Sequence, residues 1–329
     1  MILPEQKINP KLFDEDVAQV PIRDGFGEGL LIAGEADSRV VALSADLRES
    51  SRSEAFSKKF PDRYFEIGVA EQNLASVGSG LAASGKIPFI TSYATFSPGR
   101  NWEQIRTTIC YNNTNVKIIG SHAGVSVGPD GGTHQALEDI AIMRALPRTS
   151  VLSPCDSIEA KKATIAAAKH NGPVYIRLMR NASRVITTEE SPFVFGKANI
   201  LFESQNPQVV FFATGPVVYG ALKAARELEG EGIGAVVVNV HTIKPLDVET
   251  IVSVAKKCGA AVTVENHQIA GGLGGAIAET LAQEFPVPIE FAGVHDQFGQ
   301  SGTPEELLKF YGINSEAIVS AAKKVISRK

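Results

Sequence analysis

The chain has 329 residues, more than one ordinary hydrophobic core organises and suited to about two domains. Hydrophobic residues at 44% and charged residues at 21% are globular values. A formal net charge of -4 argues against a general nucleic-acid binder or a binder of anionic membranes, because the summed field would attract neither.

Met1 to Phe13 carries Glu5, Lys7 and Lys11 and lacks the apolar run of a secretory signal. Nowhere do roughly 18 apolar residues follow one another, so no membrane-spanning helix is expected. Arg23 to Ile32 reads as a helix and Arg39 to Ala45 (RVVALSA) as a buried strand. Asp46 to Pro61 turns polar and serine-rich, which predicts a long surface connection. Tyr64 to Val69 is strand-like, and Ala70 to Ala83 is small and apolar at helical spacing, which places Glu71 at the start of a buried helix. Strands are expected at Lys86 to Ser92, Asn115 to Gly120, Ser150 to Leu152 and Pro173 to Leu178. Helices are expected at Arg100 to Tyr111, Gln135 to Arg144 and Asp156 to Lys169. This alternation implies crossover units and a mainly parallel sheet. Asn181 to Pro207 loses the alternation. A second series of strands and helices then runs from Gln208 to Ser327, so the chain reads as two consecutive α/β domains, the second smaller. Three cysteines, Cys110, Cys155 and Cys258, have no metal-ligand spacing and suit buried thiols in a reducing cytoplasm.

Few local patterns carry chemistry alone. A buried carboxylate such as Glu71 is costly without a partner, yet a glutamate in a first helical turn is also stabilised by the helix dipole. The loop Ser121 to Gln135 (SHAGVSVGPDGGTHQ) sets His122 and His134 around Asp130 among four glycines, after a parallel strand, where open α/β sheets bind ligands. Histidines there suit hydrogen bonding to hydroxyls and proton transfer near neutral pH; a solvated surface loop is the competing reading. Arg23, Arg48, Arg100, Arg177 and Arg180 lie near predicted element ends and offer planar forks for phosphate, although most arginines are simply solvated. Tyr93 and Phe96 suit either a core or a ring-stacking platform. Gly78, Gly80 and Ala83 fit a loose dinucleotide fingerprint but fall inside a helix, so its context fails. No phosphate-binding P-loop is present.

Taken together and in this order, SADL at Ser44 to Leu47, FEIGVAEQN at Phe65 to Asn73 and GPDGGTHQALEDIAIMRALP at Gly128 to Pro147 closely resemble the C-terminal half of transketolase. The resemblance runs from about Val20 to the end and is that of the second subunit of a split transketolase. It implies a thiamine diphosphate pyrimidine-binding domain at 15–185, a linker at 186–205 and a C-terminal domain at 206–329. In it, Glu71 holds a proton against N1′ of the aminopyrimidine, and the resulting thiamine ylid moves a two-carbon ketol unit between sugar phosphates, as in the pentose phosphate pathway. Tyr93 and Phe96 would flank the pyrimidine, and Asp46 would support that side of the site. His122, Asp130 and His134 match residues that touch donor and acceptor hydroxyls; Arg23, Ser50 and Arg180 match those that grip the sugar phosphate. Tyr93 stands where phenylalanine is more usual.

The family's GDG motif with a following Asn, which holds Mg²⁺ and the diphosphate, has no counterpart here. The resemblance therefore implies no metal site of this chain's own, inactivity alone, and a diphosphate-binding partner subunit in a heterotetramer. Xylulose 5-phosphate and ribose 5-phosphate are the expected donor and acceptor. A 1-deoxyxylulose-5-phosphate synthase-like enzyme, a 2-oxo acid dehydrogenase beta subunit and a non-catalytic scaffold are the alternatives, and His122 with SADL favours transketolase over the two enzymes.

Overall fold

The computed structural model describes residues 1–329. Its first half comprises β1 (Gln19–Pro21), α1 (Ile22–Ala36), β2 (Val40–Ser44), α2 (Glu54–Lys59), β3 (Tyr64–Glu66), α3 (Glu71–Ala83), β4 (Ile87–Tyr93), α4 (Trp102–Gln104, continued as a wider π-type turn over Ile105–Cys110), β5 (Lys117–Ser121), α5 (Asp139–Arg144), β6 (Ser150–Leu152), α6 (Ser157–Lys169), β7 (Val174–Arg177) and β8 (Ala182–Arg184). The second half comprises β9 (Asn199–Glu203), β10 (Pro207–Ala213), α7 (Val218–Gly230), β11 (Gly234–Asn239), β12 (Thr242–Lys244), α8 (Val248–Cys258), β13 (Ala261–Gln268), α9 (Leu273–Glu284), β14 (Ile289–Val294), α10 (Pro304–Phe310) and α11 (Ser315–Ile326).

The first sheet has the order β12-β6-β7-β5-β4-β2-β3 and is parallel apart from β12. Its inner strands are apolar runs such as VVALS in β2, every residue buried, as a sheet covered on both faces requires. One face is covered by α1 and α6, which cross so closely that a Cβ on Gly25 would lie 1.7 Å from the Ser157 carbonyl oxygen. Phe26, Leu30 and Phe89 fill the layer beneath them. The second sheet has the order β14-β13-β10-β11-β9, parallel except for β9. The opposite apolar layer of the first sheet, with Ile90 and Ile109, continues into the second domain through Phe212, Val238 and Ile251. The two halves therefore share buried surface.

Several elements depart from the sequence expectation for identifiable reasons. Helix α5 starts at Asp139 rather than Gln135, because the backbone carbonyls of Ala136 and Leu137 are taken by the amides of Gly124 (2.8 Å) and Gln268 (2.8 Å), while the Gln135 side-chain amide donates to the carbonyls of Val125 (3.0 Å) and Gln300 (3.0 Å). The serine-rich connection is not all surface: α2 buries Phe56, whose ring lies 5.0 Å from that of Phe60. Within the stretch read as linker, Asn199–Glu203 forms β9 on the second sheet, and the buried Asp156 carboxylate accepts the amides of Ile186 (2.7 Å) and Thr187 (2.5 Å). Strand β12 leaves the second domain to pair with β6, a non-local contact that a three-residue stretch does not announce.

Arg177 is corrected from a candidate phosphate ligand to a buried structural group. Its Nε donates to Asp139 Oδ2 at 2.8 Å, its Nη2 reaches the Asn266 carbonyl across the domain boundary at 2.9 Å, and Tyr175 donates to the same carboxylate oxygen at 2.7 Å. Both members of the pair are 1% exposed. Burial opposes charge on Asp139, but the adjacent guanidinium outweighs it and holds the carboxyl below its ordinary range. Removing one partner of such a pair strands a charge in the interior. Asp139→Ala should therefore destabilise the chain by about 3–5 kcal/mol in denaturant unfolding, and the double change Asp139→Leu with Arg177→Met should recover most of the loss.

Candidate functional site

The carboxyl ends of β2, β4, β5 and β7 deliver side chains to one edge of the first sheet. There the chain assembles a continuous row of polar and aromatic groups. Glu71, at the first turn of α3, is 2% exposed. Its Oε2 accepts from Arg100 Nη1 at 2.7 Å, while no protein donor reaches Oε1. Asn101 donates to the Glu71 carbonyl at 2.9 Å and ties the start of α3 to the turn before α4. Outside the carboxylate lies an open depression of about 540 Å³ lined by Val69, Glu71, Gln72, Ser76, Arg100 and Gln104.

Arg100 links this carboxylate to the aromatic residues that follow β4. Its guanidinium carbon lies 4.7 Å from the centroid of Phe96. Phe96 and Tyr93 stack with centroids 5.9 Å apart and planes 15° from parallel. Tyr93 in turn stacks on His122 at 3.8 Å, and His134 presents its edge to Phe96 at 5.7 Å.

His122 takes a left-handed backbone conformation, φ 58°, at the exit of β5. A non-glycine residue held there is the kind of local strain that collects at functional sites. Its Nδ1 meets Ser121 Oγ at 2.8 Å and its Nε2 faces Arg23 Nη1 at 3.2 Å. Since arginine only donates, Nε2 must accept and the ring proton belongs on Nδ1. Burial, reinforced by Arg23 and Arg180, pushes the imidazole down to about 3. A neutral ring in a fixed tautomer is suited to orienting a hydroxyl rather than to carrying a charge.

Arg23 also donates to the Ser50 carbonyl at 2.8 Å, and its Nε is buried without any partner. Arg180 pairs with Asp130 at 3.0 Å and touches the Val127 carbonyl at 3.3 Å. His134 Nδ1 meets the neighbouring Thr133 hydroxyl at 3.0 Å. The loop carrying Asp130 and His134 is braced from the second domain. A Cβ on Gly132 would lie 2.5 Å from the Gly299 carbonyl oxygen, and Ser301 donates to the Pro129 carbonyl at 3.1 Å.

The structure thus joins Glu71, Tyr93, Phe96, His122, His134 and Arg23 in one contact chain, with Arg180 and Asp130 on the same loop system. Ser50 takes part through its carbonyl, not its hydroxyl. The Asp46 carboxylate is exposed and makes no hydrogen bond; its amide, at φ 58°, donates to Glu66 Oε1 at 2.7 Å. Sequence reasoning missed Glu66, which also accepts the Gly68 amide (3.1 Å) and the Tyr64 hydroxyl (3.0 Å) and so fixes the turn leading to Glu71. It also missed the pairing of Arg100 with Glu71, 29 residues apart. The larger interdomain cleft of about 720 Å³ lies behind the loop, lined by Ser126, Asn181 and Asn266, and none of the row opens on it.

The family models carry the description of these two halves. The pyrimidine-binding domain of transketolase matches residues 18–185, and the transketolase C-terminal domain matches 196–318. The chain belongs to the transketolase family. Among transketolase relatives, the 6-deoxy-6-sulfo-D-fructose transketolase subunit of Clostridium sp. is 44% identical over 308 residues, covering 94% of this chain and 95% of its own. An apulose-4-phosphate transketolase subunit from Phocaeicola vulgatus is 35% identical over 310 residues, covering 94% and 98%. A solved structure described as a split gene transketolase, inactive beta4 tetramer, superposes with a TM-score of 0.87 at 41% identity, covering 94% of this chain and 99% of that one. The chain therefore corresponds to the C-terminal half of a split transketolase, a thiamine diphosphate-dependent transferase type.

The protonation behaviour of the site is open to direct measurement. His122 and His241 are pushed down to about 3 and His267 to about 4, in each case foremost by burial. Unfolding frees these rings to bind protons below about pH 6.5, so their contribution to stability rises with pH across that window, whereas the buried Glu159 and Glu265, pushed up to about 7 by burial, contribute in the opposite sense. The His122 ring resonances should stay fixed between pH 8 and 5 in NMR titration.

Proposed function

We propose that this chain is the pyrimidine-binding subunit of a two-subunit transketolase that moves a two-carbon ketol unit from a ketose phosphate to an aldose phosphate. The observation that carries the reading is the buried Glu71 carboxylate, with Oε1 free of protein donors, beside the stacked Tyr93–Phe96 pair. These groups fit an aminopyrimidine: a carboxyl oxygen for the ring nitrogen and a flat apolar face for the ring. They do not fit the other half of thiamine diphosphate. A diphosphate with Mg²⁺ needs oxygen ligands in near-octahedral geometry, and the groups of this row are a carboxylate already paired with Arg100, aromatic rings, histidines and cationic guanidinium groups.

A diphosphate-binding partner subunit would supply that half, with the cofactor seated between the two chains in a heterotetramer. The subunit organisation named for the relatives supports a partner chain, and the structural match, named as an inactive beta4 tetramer, is an assembly of one kind of subunit. Three free buried thiols are consistent with a cytoplasmic setting.

Bound thiamine diphosphate would supply the carbon nucleophile and the electron sink for the two-carbon fragment. This chain's residues would do the rest from fixed positions. Glu71 would hold a proton at the pyrimidine nitrogen, in a buried setting that keeps water from competing for it. Tyr93 and Phe96 would set the ring plane. His122, neutral and with Nε2 turned toward Arg23, would accept from a donor hydroxyl once Arg23 moves to phosphate. His134 and Asp130 would contact acceptor hydroxyls. Arg23, whose Nε lacks a partner, and Arg180 would grip the phosphate, with Ser50 beside Arg23. Asp46, positioned through Glu66, would border the pyrimidine side.

The relatives act, by their names, on a sulfonated fructose and on apulose 4-phosphate, so the anionic group read by Arg23 and Arg180 is the feature to vary in assay. Mixed with a diphosphate-binding subunit, thiamine diphosphate and Mg²⁺, the chain should transfer a ketol unit from xylulose 5-phosphate to ribose 5-phosphate. Turnover of pyruvate alone would contradict the assignment. Glu71→Gln should lower kcat by at least about 100-fold, at the lower end of what a positioned acid or base contributes, with assembly by size-exclusion chromatography unchanged.

A further inference from the structure

Arg100 contacts both groups that the pyrimidine reading assigns to the ring. It presents an N–H edge to Glu71 Oε2 at 2.7 Å and a planar, cationic group to the face of Phe96 at 4.7 Å. Glu71 Oε1 is left open, but the face of Phe96 under the guanidinium cannot hold a pyrimidine ring at the same time. The side chain of Arg100 is 49% exposed and makes no other hydrogen bond, so its only anchors are the two groups that the ligand needs. Glu71, by contrast, is 2% exposed, and in Arg100's absence its carboxylate would have no protein partner.

We propose that Arg100 is a positioning residue that occupies the pyrimidine seat of the free subunit, holding the Glu71 carboxylate and covering Phe96 until the cofactor displaces it. The inference rests on the pyrimidine reading and deepens it. Displacement selects the ligand: only a flat ring that returns both a hydrogen bond to Glu71 and a stacked face to Phe96 replaces what the guanidinium gave. A flat ring without a basic nitrogen at that edge cannot share a proton with Glu71, leaves the carboxylate unpaired and is rejected. Arg100, 49% exposed, lies at the edge of the depression that Ser76 and Gln104 also line, on the side that opens to solvent.

The probe is 4-amino-5-hydroxymethyl-2-methylpyrimidine, titrated by calorimetry into the full isolated chain, so that no diphosphate site or partner is needed. Arg100→Met keeps the apolar stem, and Arg100→Gln serves as a second variant should the first misfold by circular dichroism. Losing an ion pair and a cation–π contact that compete with the ligand should tighten binding roughly ten-fold over the unaltered chain. Equal or weaker binding in the variants overturns the role of Arg100. If that binding is still abolished by Glu71→Gln, the pyrimidine reading stands and only the role of Arg100 fails. Absence of binding to every variant at millimolar probe overturns both.

Discussion

A carboxylate that is 2% exposed and bonded at only one of its oxygens is the constraint around which this molecule is arranged. Burying a charge is unfavourable unless partners replace its water. The fold supplies one partner, Arg100, and leaves the second oxygen facing an open depression. Everything that fixes Glu71 serves that unfinished state: Glu66 braces the turn before α3, Asn101 holds its first carbonyl, and Phe96 lies under the guanidinium. The aromatic stack then carries the geometry outward to His122 and Arg23.

The second domain contributes by bracing rather than by adding groups to the row. Its loop at Gly299–Ser301 presses on the glycine loop that bears Asp130 and His134, and its Asn266 carbonyl accepts from Arg177. Strand β12 completes one edge of the first sheet. A polar loop on a parallel sheet is ordinarily free to move; here it is pinned from behind by close backbone packing, which allows its histidines to meet the aromatic pair at fixed distances.

Much of this was legible in the sequence. Alternating apolar runs located the inner strands and long helices, because those patterns depend on local burial. The motifs around Ser44, Glu71 and Gly128 named the site residues through resemblance, and the structure brings most of them into one contact chain. What stayed hidden depends on distant partners. Arg177 and Arg100 look alike as arginines near element ends; only the fold buries one against Asp139 and turns the other onto Glu71. Ser50 suggested a hydroxyl ligand, yet its backbone carbonyl is what meets Arg23, and a sequence distinguishes side chains, not carbonyl directions. Gln135 carried helical periodicity, but the carbonyls of Ala136 and Leu137 that follow it are taken by the amides of Gly124 and Gln268, so tertiary hydrogen bonding overrode local propensity. Lys117, buried in β5 and satisfied by Asn115 and two carbonyls, is another charge that no local pattern discloses.

The central claim is that this chain holds half of a cofactor site. Equilibrium dialysis of thiamine diphosphate with Mg²⁺ against the isolated chain, and against the chain mixed with a diphosphate-binding subunit, tests it most directly. The expected result is no retained cofactor on the isolated chain at micromolar concentrations and one cofactor per pair of unlike chains in the mixture. Tight, Mg²⁺-dependent retention by the isolated chain would contradict it.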